Sequence, residues 1–199
     1  MLTLHVCEAS PETAVVVDGA QLAAVGPYEA LAADHPRARV RRWPGILTPG
    51  LLNPYGPELL EQAYHPDPRE ADRLGTEPVF GKRALALLGA DASARGASAR
   101  RGVQRMLAHG TVAVAGELRS RAALDAVRGA GLAVAARPAT LPGPASFSPV
   151  PLVLLPALAP GGPARFAVFD VPDRAALVRE GAATCVATVV GGRLVYRGR

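Results

Sequence analysis

Aromatic residues and lysine are scarce in this chain of 199 residues. Aromatic side chains make up 5% of the sequence, and Lys82 is the only lysine. Hydrophobic residues nevertheless reach 49%, which is enough to build a core and excludes a wholly disordered chain. Alanine, valine and leucine supply most of them, so the sequence predicts a core packed from small aliphatic side chains.

Cysteine is also rare, and long apolar runs are missing. Cys7 and Cys185 lie far apart with no CxxC pair, which excludes a disulfide framework or a cysteine zinc cluster and favours a reduced, cytoplasmic setting. The first residues lack the basic and apolar regions of a signal peptide. No stretch reaches the roughly 18 apolar residues that span a membrane. We therefore expect a cytoplasmic protein without membrane contact.

The formal net charge is +5, and arginine carries nearly all of the positive charge. A basic balance is compatible with a nucleic-acid partner. However, the one cluster, at Arg95, Arg100, Arg101 and Arg105, has no interleaved aromatic residues on which bases would stack. A solvated helix face explains the cluster more simply. A basic nucleic-acid-binding module remains an alternative function.

The N-terminal part of the chain has the pattern of short β-strands. The pair Asp18-Gly19 between apolar runs predicts a tight hairpin, because its turn needs positive φ. Pro27 is suited to open a short helix, and a further strand is predicted at 40–43. The strands predicted before that helix are residues 2–8, 13–17 and 21–25.

The middle of the chain alternates between strand and helix patterns, which predicts right-handed β-α-β units and a parallel sheet. Residues 138–164 are rich in proline and glycine and break this pattern, and the apolar run 150–158 within them predicts a buried connection or an edge strand. In chain order the predicted elements are a strand at 46–53, a surface loop at 65–80, a helix from Ser98 to Ala108, a strand at 111–115, a helix capped by Ser120 and a strand at 132–136.

The C-terminal part returns to β-structure. A strand is predicted at 166–171, a helix after Asp173, and a final hairpin over 185–196 that turns at Gly191-Gly192. The simplest arrangement joins the two terminal β-parts, residues 1–48 and 163–199, into one β-sandwich. Residues 49–162 then form a partial parallel β/α segment. The predicted fold class is α/β with a β-sandwich.

Several stretches resemble the amidohydrolase superfamily, near imidazolonepropionase and aminodeoxyfutalosine deaminase. They occur in the family's order, and together they imply a composite β-sandwich flanking a fragment of a (β/α) barrel. The stretches are residues 18–27 (DGAQLAAVGP), 47–53 (LTPGLLN, similar to PGLVN), 106–114 (MLAHGTVAV, similar to ML..GTTTV), 131–138 (GLAVAARP), and 166–170 with 188–196 (FAVFD and TVVGGRLVY).

Two departures from the family pattern bear on function. Tyr55 and Pro57 occupy the places of the family's two metal-binding histidines, and a proline side chain offers no ligand atom. After Pro138 the chain reaches its terminal β-part in fewer than thirty residues, whereas a full barrel takes roughly 200 residues or more. The family's later ligands and catalytic carboxylate therefore have no counterparts. We expect no catalytic residues, no metal and no cofactor.

A polar pocket is the candidate site. In parallel β/α structures, ligands bind beyond the carboxyl ends of the strands, and the predicted strand ends carry Asn53, Tyr55, Glu117 and Arg137. These four are the candidate ligand-binding residues. The simpler structural explanation, which we favour, is that Glu117 and Arg137 form an ion pair that closes an unfinished sheet.

These patterns predict a catalytically inactive, amidohydrolase-like protein that binds a partner or a small ligand. One alternative is a hydrolase of non-peptide C–N bonds, in cyclic amides or amidines, whose site another chain completes. The other is the nucleic-acid module. A partial barrel leaves an exposed edge and apolar face, so we expect a homo-oligomer or a partner protein.

Overall fold

The computed structural model describes residues 2–89, 91–141 and 143–198, and it confirms a mixed α/β fold with several sheets. Met1, Ala90, Pro142 and Arg199, which fall within the two predicted regions, lie outside the described residues. The strands of the described part are β1 (Thr3–Cys7), β2 (Ala14–Asp18), β3 (Gln21–Gly26), β4 (Arg39–Trp43), β5 (Ile46–Thr48), β6 (Leu51–Asn53), β7 (Thr111–Ala115), β8 (Ala133–Ala135), β9 (Phe166–Phe169), β10 (Cys185–Val190) and β11 (Arg193–Arg197). The α-helices of the described part are α1 (Tyr28–Asp34), α2 (Gly56–Leu60), α3 (Ala71–Leu74), α4 (Gly81–Leu88), α5 (Ala92–Ala108), α6 (Arg121–Gly129) and α7 (Arg174–Glu180).

Two four-stranded sheets gather the terminal parts of the chain. The first has the order β3-β2-β1-β4, and the second has the order β11-β10-β9-β5. The predicted turns at Asp18-Gly19 and Gly191-Gly192 both join antiparallel neighbours. The two turns touch, because a Cβ added to Gly192 would collide with the carbonyl oxygen of Gly19. The glycines are therefore required there for space as well as for their positive φ.

One apolar cluster joins these two sheets. Val15 and Leu22 of the first sheet pack with Phe166, Val168 and Val189 of the second. This cluster brings strands from the two terminal parts of the chain into one buried layer.

His5 is buried within the same layer. Its Nδ1 accepts a hydrogen bond from the indole Nε1–H of Trp43 at 3.2 Å, and its ring meets Phe166 edge-on at 4.9 Å. Burial, with a smaller effect from Arg41, lowers the pKa of His5 from 6.5 to about 4. The imidazole is therefore neutral at physiological pH.

The third sheet is parallel and has the order β6-β7-β8. Helices α5 and α6 follow β6 and β7, and their inner side chains Val103, Met106 and Val127 pack against Val112 and Val114. The predicted β-α-β units are thus present. The predicted strand at 46–53 is in fact two strands in different sheets, β5 and β6, which the residues Pro49-Gly50 separate.

Helix α5 begins earlier than predicted. Its N-cap is Asp91, whose carboxylate accepts from the Ser93 N–H at 2.8 Å, so the predicted start at Ser98 was wrong. Ser98 is buried in the helix interior, and its hydroxyl accepts from the backbone N–H of His65 at 2.9 Å. A serine bonded to a distant backbone group carries the same local signal as an N-cap, which explains the error.

The predicted surface loop at 65–80 is more ordered than expected. It contains a 3-10 turn at Pro68–Glu70 and the helix α3, and α4 follows it directly. Arg101 and Arg105 of the basic cluster reach back to this segment, where they pair with Asp67 at 3.4 Å and Glu77 at 3.5 Å. This part of the cluster is therefore not the freely solvated face that the sequence suggested.

Residues 143–164 cross the structure in largely irregular conformation. At their middle they run antiparallel to β6: the Leu52 N–H donates to Val153 at 2.8 Å and the Leu155 N–H donates to Gly50 at 3.1 Å. The connection thus lies along one edge of the parallel sheet. The apolar run 150–158 is therefore at an edge, as one of the two predictions had it, but it is not buried, since each of these residues is exposed or partly exposed. Among the helices of the described residues, none is long and apolar enough to cross a membrane.

Candidate functional site

The candidate residues lie at the carboxyl ends of the three parallel strands. Asn53 ends β6, Glu117 follows β7 by two residues, and Arg137 follows β8 by two residues. Parallel pairing of β6 with β7 and of β7 with β8 brings these ends to one side of the sheet. The sequence therefore placed Asn53, Glu117 and Arg137 correctly at one end of the sheet.

Asn53 and Tyr55 are buried, with exposed fractions of 1% and 2%. The side-chain oxygen of Asn53 accepts from the Tyr55 N–H at 2.9 Å, and its amide nitrogen donates to Ser146 at 2.9 Å. The Tyr55 hydroxyl donates to the Gly143 carbonyl at 2.5 Å. Both side chains are thus engaged in attaching the irregular connection to the end of β6.

The state of the Tyr55 phenol follows from this burial. Burial raises its pKa, the nearby carboxylate of Glu58 raises it further, and Arg137 opposes the shift. The hydroxyl therefore stays protonated and serves as a hydrogen-bond donor at neutral pH. It is not a phenolate ligand or base.

An open cleft of about 670 Å³ lies beyond the strand ends; we call it the strand-end cleft. Glu117 and Arg137 line it, whereas Asn53 and Tyr55 are not among its lining residues. The charged residues that line it are Glu58, Glu61, Glu117, Arg119 and Arg137. The structure therefore places two of the four candidates at the cleft and two behind its wall.

Arg137 pairs with Glu58 at 2.6 Å, and both side chains are about one-third exposed or less, at 33% and 27%. Gly116 makes room for this pair, because a Cβ at that position would approach Pro57 at 2.7 Å and the Arg137 guanidinium at 3.1 Å. Glu117 instead pairs with Arg119 at 3.1 Å, and both are strongly exposed. The expected Glu117–Arg137 ion pair was wrong, since α2 brings a closer carboxylate to Arg137.

Glu61 has a structural task at the wall of the cleft. Its carboxylate accepts from the backbone N–H groups of Arg119 at 2.7 Å and Ser120 at 2.6 Å, immediately before α6. This satisfies donors that precede a helix start. Ser120 was the predicted cap, but its own side chain makes no capping hydrogen bond.

Glu58 and Glu61 were missed by the sequence analysis. Both belong to α2 or its end, a short helix that begins directly after Tyr55 and has proline in its first turn. The signal was available, because Pro57 followed by Glu58 is typical of a helix N-terminus. Only their neighbours Tyr55 and Pro57 entered the prediction, as departures from a histidine pair.

The histidines nearest the parallel sheet are hydrogen-bonded to backbone carbonyl groups. His65 Nε2 lies 2.6 Å from the Leu59 carbonyl, and His109 Nδ1 lies 2.8 Å from the Arg105 carbonyl. The ring of Phe147 packs near both, with its centroid 5.7 Å from that of His65 and 5.6 Å from that of His109. Within the described residues, no three His, Cys, Asp or Glu side chains are grouped to hold a metal ion.

The two thiols are buried. Burial raises the pKa of Cys7 to about 12 and that of Cys185 to about 11, so both remain protonated and poorly nucleophilic at neutral pH.

The chemistry that the strand-end cleft supports is hydrogen bonding and charge pairing with a polar molecule.

Comparison with known proteins finds structural likeness to part of the chain. No protein-family model and no curated protein matches the sequence. Solved structures that resemble part of the chain include a guanine deaminase from Bradyrhizobium japonicum (19% identity, TM-score 0.39, covering 61% of this chain and 27% of that one), the A. niger ochratoxinase (16%, 0.41, 67% and 31%), and an adenosine deaminase from Xanthomonas campestris with bound zinc (16%, 0.41, 66% and 32%). The chain therefore spans about a third of these proteins or less.

Proposed function

We propose that this chain is a catalytically inactive, amidohydrolase-like protein that binds a small polar ligand in the strand-end cleft. The observation that carries the proposal is the Arg137–Glu58 pair, which presents fixed donors and acceptors at the wall of a cleft beyond three parallel strands. Such strand ends are where parallel β/α structures bind ligands.

The amidohydrolase-like part of the proposal rests on the ordered motifs. The segment that resembles PGLVN runs from the last residues of β5 through β6, and the segment that resembles the second barrel strand forms β7. β6 is an edge strand and β7 the central strand of the parallel sheet. The motifs therefore coincide with the strands that would open a barrel.

The proposal that the protein is catalytically inactive rests on the structural roles of the residues at positions 55 and 57. Tyr55 is the N-cap residue of α2, and Pro57 occupies its first turn. The Tyr55 hydroxyl is bonded to Gly143, so its oxygen is directed to the backbone of the connection. Both residues have structural roles at the places where the family has metal-binding histidines.

The ligand class follows from the charges of the cleft. Arg137 and Arg119 offer donors, while Glu58 and Glu117 offer acceptors, so the ligand should carry both kinds of group. Cyclic amides and amidines have this combination. The Arg137–Glu58 pair is partly buried and recognises such groups better than solvated charges do, because charge-assisted hydrogen bonds strengthen as water is excluded.

Calorimetric titration of hydantoin, a cyclic amide, and creatinine, a cyclic amidine, tests this proposal. We expect at least one of them to bind, and R137Q to weaken that binding about tenfold, the effect of losing one charge-assisted hydrogen bond. R121Q is the matched control, because Arg121 forms an exposed pair with Asp125 outside the cleft. Failure of both compounds to bind, or equal losses in R137Q and R121Q, would contradict the proposal.

The same samples test the alternative of a hydrolase. Wild-type protein is incubated with both compounds, with and without a chelator, and the products are followed by chromatography. We expect no turnover. Turnover that the chelator abolishes would establish the hydrolase instead, with the missing part of its site contributed by another chain.

A further inference from the structure

A second cavity, of about 580 Å³, lies at the opposite end of the parallel sheet from the strand-end cleft. It is formed where α6 ends, just before β8 begins, and where the β10–β11 hairpin turns. We call it the arginine pocket and define it by three basic residues, Arg128, Arg165 and Arg193, and by three apolar ones, Leu107, Val190 and Leu194.

The charges around the arginine pocket are of one sign. Three guanidinium groups line it, and none of the described lining residues is aspartate or glutamate. No described acidic side chain forms an ion pair with Arg128, Arg165 or Arg193. In the strand-end cleft, by contrast, both lining arginines are paired. Like charges repel, so this arrangement is stabilised by an added anion.

Arg165 is the most constrained of the three. Its Nη2 donates to the Gly131 carbonyl at 3.2 Å, directly after α6. Its Nε is buried and makes no hydrogen bond to a described residue. A buried donor without an acceptor is unfavourable, so the fold leaves part of the hydrogen-bonding capacity of Arg165 unused.

Apolar side chains lie beside the arginines of this pocket. Leu194 and Val195 are partly exposed there, over the buried Leu107 and Val190. Guanidinium groups next to partly exposed aliphatic side chains match a molecule with an anionic head and a small apolar body. An elongated nucleic-acid backbone would use charge without such apolar contacts.

We propose that the arginine pocket binds a small organic anion, a phosphate or carboxylate attached to an apolar group. Arg128 and Arg193 reach the anionic oxygens from the rim, and Arg165 holds the inner oxygen. Bidentate arginine contacts favour phosphate and carboxylate groups over spherical anions. This site is separate from the strand-end cleft, and its existence does not depend on the function proposed there.

Calorimetric titration at low salt tests the pocket with three probes: phenyl phosphate, benzoate and inorganic phosphate. We expect phenyl phosphate or benzoate to bind, and the tighter of the two identifies the head group. Inorganic phosphate should bind at least several-fold more weakly than phenyl phosphate, because it lacks the apolar body. R128Q and R193Q should each weaken binding of the organic anion about tenfold, whereas R193K should fall between wild type and R193Q.

R37Q is the matched control, because Arg37 is an exposed arginine in the turn after α1 and is not part of the pocket. It should leave the affinity within about twofold of wild type, since a screened surface charge contributes little. R165Q is avoided because Arg165 also bonds to the turn between α6 and β8. Circular dichroism establishes that each variant is folded.

Three results would overturn the proposal. One is that neither organic probe binds the wild-type protein. The second is that R37Q weakens binding as much as R128Q or R193Q, which would indicate general attraction to a basic chain. The third is that inorganic phosphate binds as tightly as phenyl phosphate, which would remove the role of the apolar side chains beside the arginines.

Discussion

The two edges of the parallel sheet differ in whether another part of the chain covers them. The β6 edge is covered by the irregular connection, which bonds to Leu52 and Gly50 along the strand and to Asn53 and Tyr55 at its end. The β8 edge has no partner strand among the described residues. Val134, at its centre, is 52% exposed.

This difference indicates that the β6 edge contributes to the stability of the fold and that the β8 edge is available for association. Buried polar groups of a strand edge must find partners, because an unpaired backbone group costs about as much as a lost hydrogen bond. At β6 the connection supplies those partners, so the backbone and side-chain groups of this edge are hydrogen-bonded within the chain. At β8 the edge groups are left to solvent or to another chain.

The largest expected effect is at the covered edge. Replacing Asn53 by leucine removes the acceptor of the Tyr55 N–H and the donor to Ser146. Because both partners are then left buried or half-buried without a bond, we expect a loss of about 3 kcal/mol in the free energy of unfolding. Chemical denaturation measures it.

Position 134 at the open edge is the control for that result. Val134→Thr should change the free energy of unfolding by no more than about 0.5 kcal/mol. If N53L and V134T had equal effects, the covered and open edges would be equivalent in energy, and the comparison would fail.

The second prediction concerns the metal site that the family resemblance suggests. The double variant Y55H/P57H restores two imidazoles but loses the Tyr55–Gly143 hydrogen bond, so we expect a loss of about 1–2 kcal/mol in stability. We expect no hydrolysis of imidazolone-type or aminodeoxyfutalosine-type substrates, because a catalytic zinc site takes three protein ligands and an activated water.

Product formation by this double variant, measured by chromatography with added zinc, would contradict that expectation. The single variant Y55F serves as its stability control, because it removes the hydroxyl bond without adding an imidazole. Wild-type protein assayed alongside shows whether any turnover precedes the substitutions.

The third prediction is a pH dependence that acts near the covered edge. The buried ring of His65 lies against Phe147 of the connection, and burial lowers its pKa below the ordinary 6.5 despite its bond to Leu59. Near and below pH 6.5 the histidine of the unfolded state binds a proton more readily than His65 of the folded state. The free energy of unfolding therefore falls as the pH falls from about 7 toward 5.

Thermal unfolding between pH 7 and pH 5 measures this loss in wild type and in H65Q. Glutamine retains an amide donor for Leu59 but does not titrate, so the decline should be shallower in H65Q. It should not vanish, because His5, with a pKa of about 4, contributes the same sign of dependence. Identical slopes in the two proteins would refute the assignment to His65.

The smallest expected effect on stability is at the open edge, where association should change instead. We predict that the wild-type chain self-associates, and that Val134→Lys shifts it toward monomer while the free energy of unfolding changes by no more than about 0.5 kcal/mol. Light scattering over a range of concentrations measures the mass. A wild-type protein that stays monomeric at high concentration would contradict this prediction.

Sequence alone determined much of the local structure of the chain. The turns at Asp18-Gly19 and Gly191-Gly192, the strand at 111–115 and the order of β-, β/α- and β-parts followed from glycine conformation and from the spacing of apolar residues. These signals are local, so they survive without knowledge of the rest of the fold. They failed at Ser98, where the hydroxyl bonds to a residue far away in the sequence.

Only the tertiary structure decided how the strand-end residues are used. The sequence placed Asn53, Glu117 and Arg137 at the same end of a sheet, but the partner of Arg137 is Glu58, 79 positions away along the chain. The arginine pocket likewise draws Arg128, Arg165 and Arg193 from separate elements. Charge pairing depends on distances across the folded molecule, and no local pattern in the sequence encodes those distances.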